Sequence, residues 1–270
     1  MNREQSQWLS CLHYYNTRMP KTKPPAFFAL ISDIHSNIDA LDAVLADIEK
    51  WPCRGILCLG DIVGYGPEPA ACVQRIMDTC AVSVIGNHEA MLFLAEQFPP
   101  DELGASVVDP IALAFQQVSE EQMRWMRSLP ITADLDPMML SHASLHQPPY
   151  FHYIYDMDEA KAHFVAQTTF VSFHGHTHVP VIWEEKGSNI SGFEPVDKPV
   201  RLDEGSRYAI NVGSVGQPRD NDPRASYALY DYQNHLLLHR RVAYDIARAQ
   251  ARFKKAKLPA RNSSRLKKGH

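Results

Sequence analysis

The stretch Ala26-Phe-Phe-Ala-Leu-Ile-Ser-Asp-Ile-His35 decides how the rest of the chain is read. Its apolar run ends abruptly in Ser32, Asp33 and His35. A short apolar run with polar bounds reads as a buried strand over 26–32, with the polar residues at its carboxyl end. Just downstream, Ile38, Leu41, Val44, Leu45 and Ile48 recur at helical spacing, which predicts an amphipathic helix starting near Asn37. Gly55–Leu59 reads as a second buried strand, Pro69–Thr79 as a second helix and Ala81–Ile85 as a third strand. Strand and helix alternating in this way predict parallel β-α-β units.

The middle of the chain reads as helical. Asp109–Val118 and Ser119–Ser128 carry helical apolar spacing, and Ser119-Glu-Glu-Gln122 matches a capping box. Met138–Leu140 and Thr169–Phe173 read as further strands. From Val179 the pattern changes to short strand candidates, Val179–Trp183, Arg207–Val212, Ala225–Tyr230 and Leu236–Arg240, separated by turn residues. They predict a mixed or antiparallel sheet packed on the first half. Residues 1–25 end in Lys21-Thr-Lys-Pro-Pro25 and read as a leader outside the core, followed by one domain over 26–245 and a basic helix or tail over 246–270.

Composition narrows the function. At 45% hydrophobic and 21% charged residues, the chain has the make-up of a globular protein, not a disordered one. A net charge of −4 lacks the basic footprint of a duplex nucleic-acid binder. The segment from Arg252 to His270 carries eight basic residues and no acid, and reads as a solvated tail. Cys11, Cys53, Cys58, Cys72 and Cys80 are odd in number and without C-x-x-C spacing, which predicts buried free thiols in a reducing compartment. No apolar run reaches the roughly 18 residues of a membrane span, and 1–25 lack a signal-peptide core, so a cytoplasmic protein is expected.

The chemistry lies at the strand ends. Asp33-Ile-His35 follows the first strand, Gly60-Asp61 the second and Gly86-Asn-His-Glu89 the third. Ser141-His142 and Gly175-His-Thr-His178 follow two later strands. Ligands of open α/β sheets bind beyond the carboxyl ends of strands, so all five clusters can share one rim. Singly, each has an ordinary explanation as a turn residue or a satisfied histidine. Jointly they assemble carboxylate, amide and imidazole donors, which suit Mn²⁺, Fe or Zn²⁺ better than Cu(I).

This ordered set resembles the calcineurin-like metallophosphoesterase superfamily, over about Ala26 to Asp231. The runs Gly60-Asp-Ile-Val-Gly-Tyr-Gly-Pro67 and Asn211-Val-Gly-Ser-Val-Gly-Gln-Pro-Arg-Asp220 resemble its compact bacterial phosphodiesterase-like branch. The resemblance implies an α/β four-layer sandwich, two mixed β-sheets flanked by helices. It implies two divalent ions, most readily Mn, with Fe, Zn, Ni or Co as alternatives. Asp33, His35 and His178 would bind one, Asn87, His142 and His176 the other, and Asp61 would bridge. His88 would face the leaving-group oxygen as a general acid, with Glu89 fixing its ring. Glu89 departs from the Asp more usual in this branch, and His174 stands where an apolar residue is common; His174 reads as a core or supporting residue.

Two metals about 3.5–4 Å apart would make hydroxide available near neutral pH and neutralise charge around phosphorus. The expected substrate is a phosphorylated small molecule, with a nucleotide or dinucleoside polyphosphate as one form. Arg219 and Tyr65 are candidate substrate contacts, through a phosphate and a base, and Gly213 and Gly216 would permit close backbone approach. His146 and His152 lie in a loop that can border the site. Two alternatives stand beside this reading. A serine/threonine phosphoprotein phosphatase would carry Asp-Arg-Gly where this chain has Gly64-Tyr-Gly66. A non-catalytic scaffold of the same fold would have lost ligands that are all present here.

Overall fold

The computed structural model describes residues 27–94, 103–196 and 198–270. The expected leader, with Cys11, lies outside the described residues. Three parallel strands, β1 (Phe27–Ile31), β2 (Cys53–Cys58) and β3 (Cys80–Ser83), are linked by helices α1 (Ile38–Ile48) and α2 (Pro69–Thr79). The short α3 (Asn87–Met91) follows β3, and α4 (Ala105–Gln117) and α5 (Glu120–Ser128) follow it. Ser119 caps α5 through the box its sequence predicts, Ser119 Oγ accepting from Gln122 N and Gln122 Oε1 from Ser119 N.

The second half supplies β4 (Thr132–Asp134), β5 (Met138–Ser141), α6 (Met157–Ala166), β6 (Val171–His174), β7 (Val181–Lys186), β8 (Asn189–Phe193), β9 (Val200–Arg201), β10 (Arg207–Asn211), β11 (Ala225–Asp231) and β12 (Leu236–Val242). Two six-stranded sheets result, in the orders β3-β2-β1-β11-β12-β9 and β4-β5-β6-β10-β7-β8. Both are mixed. In the first, β1 pairs parallel with β2 and antiparallel with β11; in the second, β6 pairs parallel with β5 and β10, while β10 pairs antiparallel with β7.

Alternation along each strand divides its side chains between two faces. Leu30, Leu57, Ala228 and Tyr230 of the first sheet meet Leu140, Phe173, Ile182 and Ile210 of the second in the core between them. Ala29, Ile31, Cys58, Tyr227 and Leu229 point the other way, into the core shared with Leu41, Val44, Val73 and Ile76 of α1 and α2. On the outer face of the second sheet, Trp183 and Ala209 pack with Ala160 and Phe164 of α6. Helices, sheet, sheet and helix give four layers, as the resemblance implies. The strands predicted from sequence exist, with ends shifted by at most three residues. The weakly patterned β4, β8 and β9, the short α3, and α6 were not anticipated.

The C-terminal segment corrects the solvated-tail reading. It forms α7 (Ile246–Lys255) and α8 (Ala260–Arg265), with Phe253 and Leu266 buried against each other's surroundings and Asn262 fully buried. Arg248 and Arg252 of α7 pair with Asp39 of α1, and Arg252 also with Glu68. Basic residues suggested a tail because their partners lie about 200 positions away in sequence.

A buried polar cluster fastens α1 to the first sheet. Asp47 accepts from Tyr227 Oη at 2.8 Å and from Arg240 Nη2 at 3.0 Å. Burial alone would raise the Asp47 pKa, but the Arg240 guanidinium and these hydrogen bonds outweigh it and hold the carboxyl below its usual value. Removing one member of such a buried pair leaves an uncompensated charge and costs about 3–5 kcal/mol. Arg240→Ala is therefore expected to lower the unfolding free energy by about that amount in urea titrations. A carboxyl depressed in the folded state stabilises it above the unfolded pKa and loses that contribution as pH falls through the folded one. Denaturation midpoints should thus drop on acidification below about pH 4, and Asp47→Asn should flatten that part of the profile.

Candidate metal centre

The loops after β1 and β2 run side by side because their backbones hydrogen-bond in register. Asp33 N donates to Gly60 O, His35 N to Asp61 O and Ser36 N to Ile62 O, at 2.9–3.0 Å. Gly175 N likewise donates to His142 O, joining the loops after β5 and β6. Five site residues, Asp33, His35, Asp61, His176 and His178, sit at φ between 49° and 68°. Side-chain-bearing residues seldom adopt this region, and such strain, about 1–3 kcal/mol each, collects at functional sites. Gly86 is required for a different reason: a Cβ there would lie 2.2 Å from Asp61 Oδ1.

All seven predicted ligands come together. Asp33, His35 and His178 form one buried group, and Asp61, His142 and His176 another, each with ligand atoms within 4.8 Å of one another. Asn87 Oδ1 adjoins the second, 3.1 Å from His142 Nε2. Asp61 Oδ2 lies between the groups, 3.6 Å from His35 Nε2 and 3.3 Å from His142 Nε2. Its other oxygen, Oδ1, accepts from the backbone N–H of His88 at 2.9 Å.

The donor set fits cations. His35 Nδ1 lies 3.1 Å from Val63 O, His142 Nδ1 2.8 Å from Leu59 O, and His178 Nδ1 2.6 Å from Gln217 O. A carbonyl can only accept, so each Nδ1 carries its proton and each Nε2 is left a lone pair. Yet the Nε2 atoms of His35 and His178 stand 3.0 Å apart. His142 Nε2 faces Asn87 Oδ1, Asp61 Oδ2 and His176 Nδ1, the last at 3.2 Å. Asp33 Oδ1, fully buried, has no hydrogen-bond partner. Lone pairs held this close repel unless a positive charge lies among them. Imidazoles anchored through the opposite nitrogen are the usual arrangement of metal-binding histidines.

Electrostatics agree. Burial disfavours both carboxylates' charge, but His178 and His35 around Asp33, and His142, His88 and His35 around Asp61, hold both pKa values well below the ordinary range. Burial pulls His142 down, but Asp61's charge and hydrogen bond outweigh it and push it up to about 9. For His176 and His178 burial dominates, lowering them to about 3 and about 4.

His88 lies beside this cluster, 3% exposed, with Nε2 3.9 Å from Asp61 Oδ2. Burial, helped by the surrounding histidines, lowers its pKa to about 3, so the ring is neutral at neutral pH. It packs closely on Gly64, where a Cβ would fall 2.1 Å from His88 Nδ1. The predicted Glu89–His88 hydrogen bond does not form. Glu89 instead accepts from Asp61 N at 2.8 Å, Val63 N at 3.0 Å and Gly86 N at 3.0 Å, and His88 Nδ1 has no partner. The longer Glu side chain reaches back over the loop that carries Asp61, positioning it. Burial and Asp61's charge raise Glu89 to about 7 against the pull of those N–H donors.

Tyr65 and Arg219 stand at the rim. The Tyr65 ring lies 4.6 Å from those of His35 and His88, and the Arg219 guanidinium is 5.5 Å from its centre. Gly213 and Gly216, by contrast, belong to a buttress. Val215 N and Gly216 N donate to Ser32 O and Asp33 O, and Gly216 packs on Ile34 O. Asn211 holds the His176-Thr-His178 turn through Gly175 O and Thr177 Oγ1. His174 is buried against the His163 ring, 5.4 Å away, consistent with a core residue. His146 and His152 are exposed and stack on each other. The loop's contribution to the site is Tyr153, which stacks on His176 at 4.0 Å and 16°. Its one trace in the sequence is the aromatic density of Tyr150, Phe151, His152, Tyr153 and Tyr155.

Residues 27–235 match the model of the calcineurin-like phosphoesterase superfamily domain, and the chain belongs to that family. A metallophosphoesterase of Sphaerobacter thermophilus has a similar structure, with a TM-score of 0.79 and 36% identity over 90% of this chain and all of that one. An uncharacterized protein of Methanocaldococcus jannaschii is 34% identical over 89% of this chain and 97% of its own. A symmetrical bis(5'-nucleosyl)-tetraphosphatase of Klebsiella pneumoniae is 30% identical over 43% of this chain and 42% of its own. The chain is thus a hydrolase of the metallophosphoesterase class.

Glu89→Ala leaves three buried N–H groups without an acceptor and frees the Asp61 loop. Divalent-metal affinity is expected to fall about 10–100-fold, read by calorimetric titration of the metal-stripped protein.

Proposed function

We propose that the protein is a dinuclear metal-dependent phosphoesterase that hydrolyses phosphodiester or nucleotide phosphoanhydride bonds. The observation that supports it most is Asp61 Oδ2 placed between two groups of imidazole nitrogens, 3.6 Å from His35 Nε2 and 3.3 Å from His142 Nε2. Asp33, His35 and His178 would hold one ion, Asn87, His142 and His176 the second, and Asp61 both; Mn²⁺ suits the mixture of oxygen and nitrogen donors. When bound, such a pair supplies a nucleophile at neutral pH and neutralises charge on the phosphoryl oxygens.

The chain's own residues do the rest. Glu89 and the His88 backbone N–H fix Asp61 so that its free oxygen faces both groups. His88, neutral and with Nε2 turned toward the cluster, offers an N–H to the departing oxygen. A neutral ring keeps its proton, so in place of the general-acid role that the resemblance implies His88 would stabilise by hydrogen bonding the negative charge that builds on the oxygen. Arg219 pairs with a phosphate oxygen, and Tyr65 and Tyr153 offer π-faces to an aromatic part of the substrate such as a nucleobase. The partial similarity to a dinucleoside tetraphosphatase supports a nucleotide substrate. Gly64-Tyr-Gly66 at the rim disfavours a phosphoprotein phosphatase. No helix among the described residues is long and apolar enough to cross a membrane. The free thiols of Cys53, Cys58, Cys72 and Cys80 support a cytoplasmic setting.

Protein purified and loaded with Mn²⁺ should carry two ions per chain. It should hydrolyse bis-p-nitrophenyl phosphate and dinucleoside polyphosphates faster than p-nitrophenyl phosphate. Monoester preference with no diester or anhydride activity would reject the substrate class, and a chain that binds no divalent metal would restore the scaffold reading. His88→Ala should lower kcat by about 10²–10³ with metal content retained. Native turnover in that variant would remove His88 from the chemistry.

A further inference from the structure

The basic residues of the C-terminal segment divide by what they touch. Arg248 and Arg252 pair with Asp39 and Glu68 and dock α7 on the domain. Lys254, Lys255, Lys257 and Lys267 point into solvent. Arg261 and Lys268 are exposed and Arg265 half-buried, and together they face a common hollow. With Ser264 and His270 they line a cavity of about 300 Å³ that contains no acidic side chain. None of the three has an acidic partner among the described residues. Arg265 Nε donates to the backbone oxygen of His270 at 2.7 Å. Burial, then the charges of Arg219 and Arg261, pull its guanidinium below the ordinary pKa, so these like charges feel one another.

The helix that lines this cavity is bonded to a loop at the rim of the candidate metal centre. Asn262, fully buried on α8, donates from Nδ2 to Tyr65 O at 3.1 Å and to Ser106 O at 2.8 Å. Tyr65 in turn contacts His35 and His88 with its ring and carries Arg219 over it. Arg219 Nε is itself without a partner. Among the described residues no acidic side chain pairs with Arg219, Arg265, Arg261 or Lys268; Arg219 donates to Gln217 Oε1 at 3.0 Å and Arg265 to His270 O. Ordinarily a basic run is a solvated face. Here a buried amide locks it against the very loop that frames the site. Clustered guanidinium groups with fork-like donors are suited to phosphate oxygens, which would relieve the repulsion among them.

We propose that this cavity is a phosphate subsite. It takes a phosphate of the substrate distal to the scissile bond, so that the C-terminal helices select polyphosphorylated substrates over short diesters. The inference rests on the phosphoesterase reading for its substrate, and only on the cavity for its anion.

The test compares the full-length protein with the Arg261→Ala/Lys268→Ala variant; both residues are exposed, and thermal melts followed by circular dichroism check the fold. With Mn²⁺ bound, the ratio of kcat/KM for a dinucleoside tetraphosphate over bis-p-nitrophenyl phosphate should fall about tenfold, through KM. Arg261→Lys should recover part of it. An unchanged ratio overturns the proposal. Calorimetric titration with inorganic tripolyphosphate needs no turnover. Its Kd should rise about tenfold in the double variant and weaken further with added salt. Equal Kd values, or orthophosphate binding as tightly as tripolyphosphate, overturn it too. If the native protein hydrolyses neither substrate, the phosphoesterase reading fails while the titration still decides the subsite.

Discussion

The structure depends on the mutual exposure of lone pairs around Asp61. One carboxylate oxygen is tied to the backbone at His88, and the other faces imidazoles from two separate groups. Nothing in an apolar core would gather so many acceptors, since buried polar groups need partners. The three histidines anchored to carbonyls of Val63, Leu59 and Gln217 cannot turn a proton inward without losing those bonds. The arrangement is stable only around positive charge. A proton on His142 can partly satisfy it, and divalent cations would do so on the proposed reading.

Meeting that constraint costs backbone strain, and the fold supplies the compensation. Left-handed conformations at Asp33, His35, Asp61, His176 and His178 are held by hydrogen bonds between neighbouring strand-end loops, not by local preference. The segment from Asn211 to Gln217 braces the opposite side, against Asp33, Asn37 and His178. Glu89 shows the same economy: a single carboxylate ties three backbone amides from two loops and so aims Asp61. The rigid two-sheet core below keeps these loops in register, since each loop continues a strand whose pairing is already fixed.

Around this centre the surface is asymmetric. Tyr153 stacks on His176 on one side, while Tyr65 and Arg219 border His35, His88 and His178 on the other. Beyond Tyr65, whose carbonyl Asn262 holds, α8 carries basic residues that no acidic side chain among the described residues pairs with. Aromatic faces and cations thus flank a cation-demanding interior, a combination suited to an extended anionic ligand with a planar part.

By itself, the sequence determined the fold class, the order of the first three strands and two helices, and the seven candidate ligand positions that converge at one rim. The reason is physical: a buried strand must be apolar until it leaves the sheet, so a chemical residue at its end appears as an abrupt change in polarity. Repeated five times in order, that change locates a site. What local pattern could not reveal were interactions between distant residues. Glu89 looked like a partner for its neighbour His88, yet its carboxylate reaches Asp61 and Val63, more than 25 positions earlier. His146 and His152 drew notice as histidines, while Tyr153 is the residue in contact. The basic C-terminal run looked solvated because charge alone does not show that Asp39, Glu68 and the carbonyl of Tyr65 wait for it across the fold. Residue type and spacing are set along the chain, but which donor meets which acceptor is decided only when strands pair and loops converge.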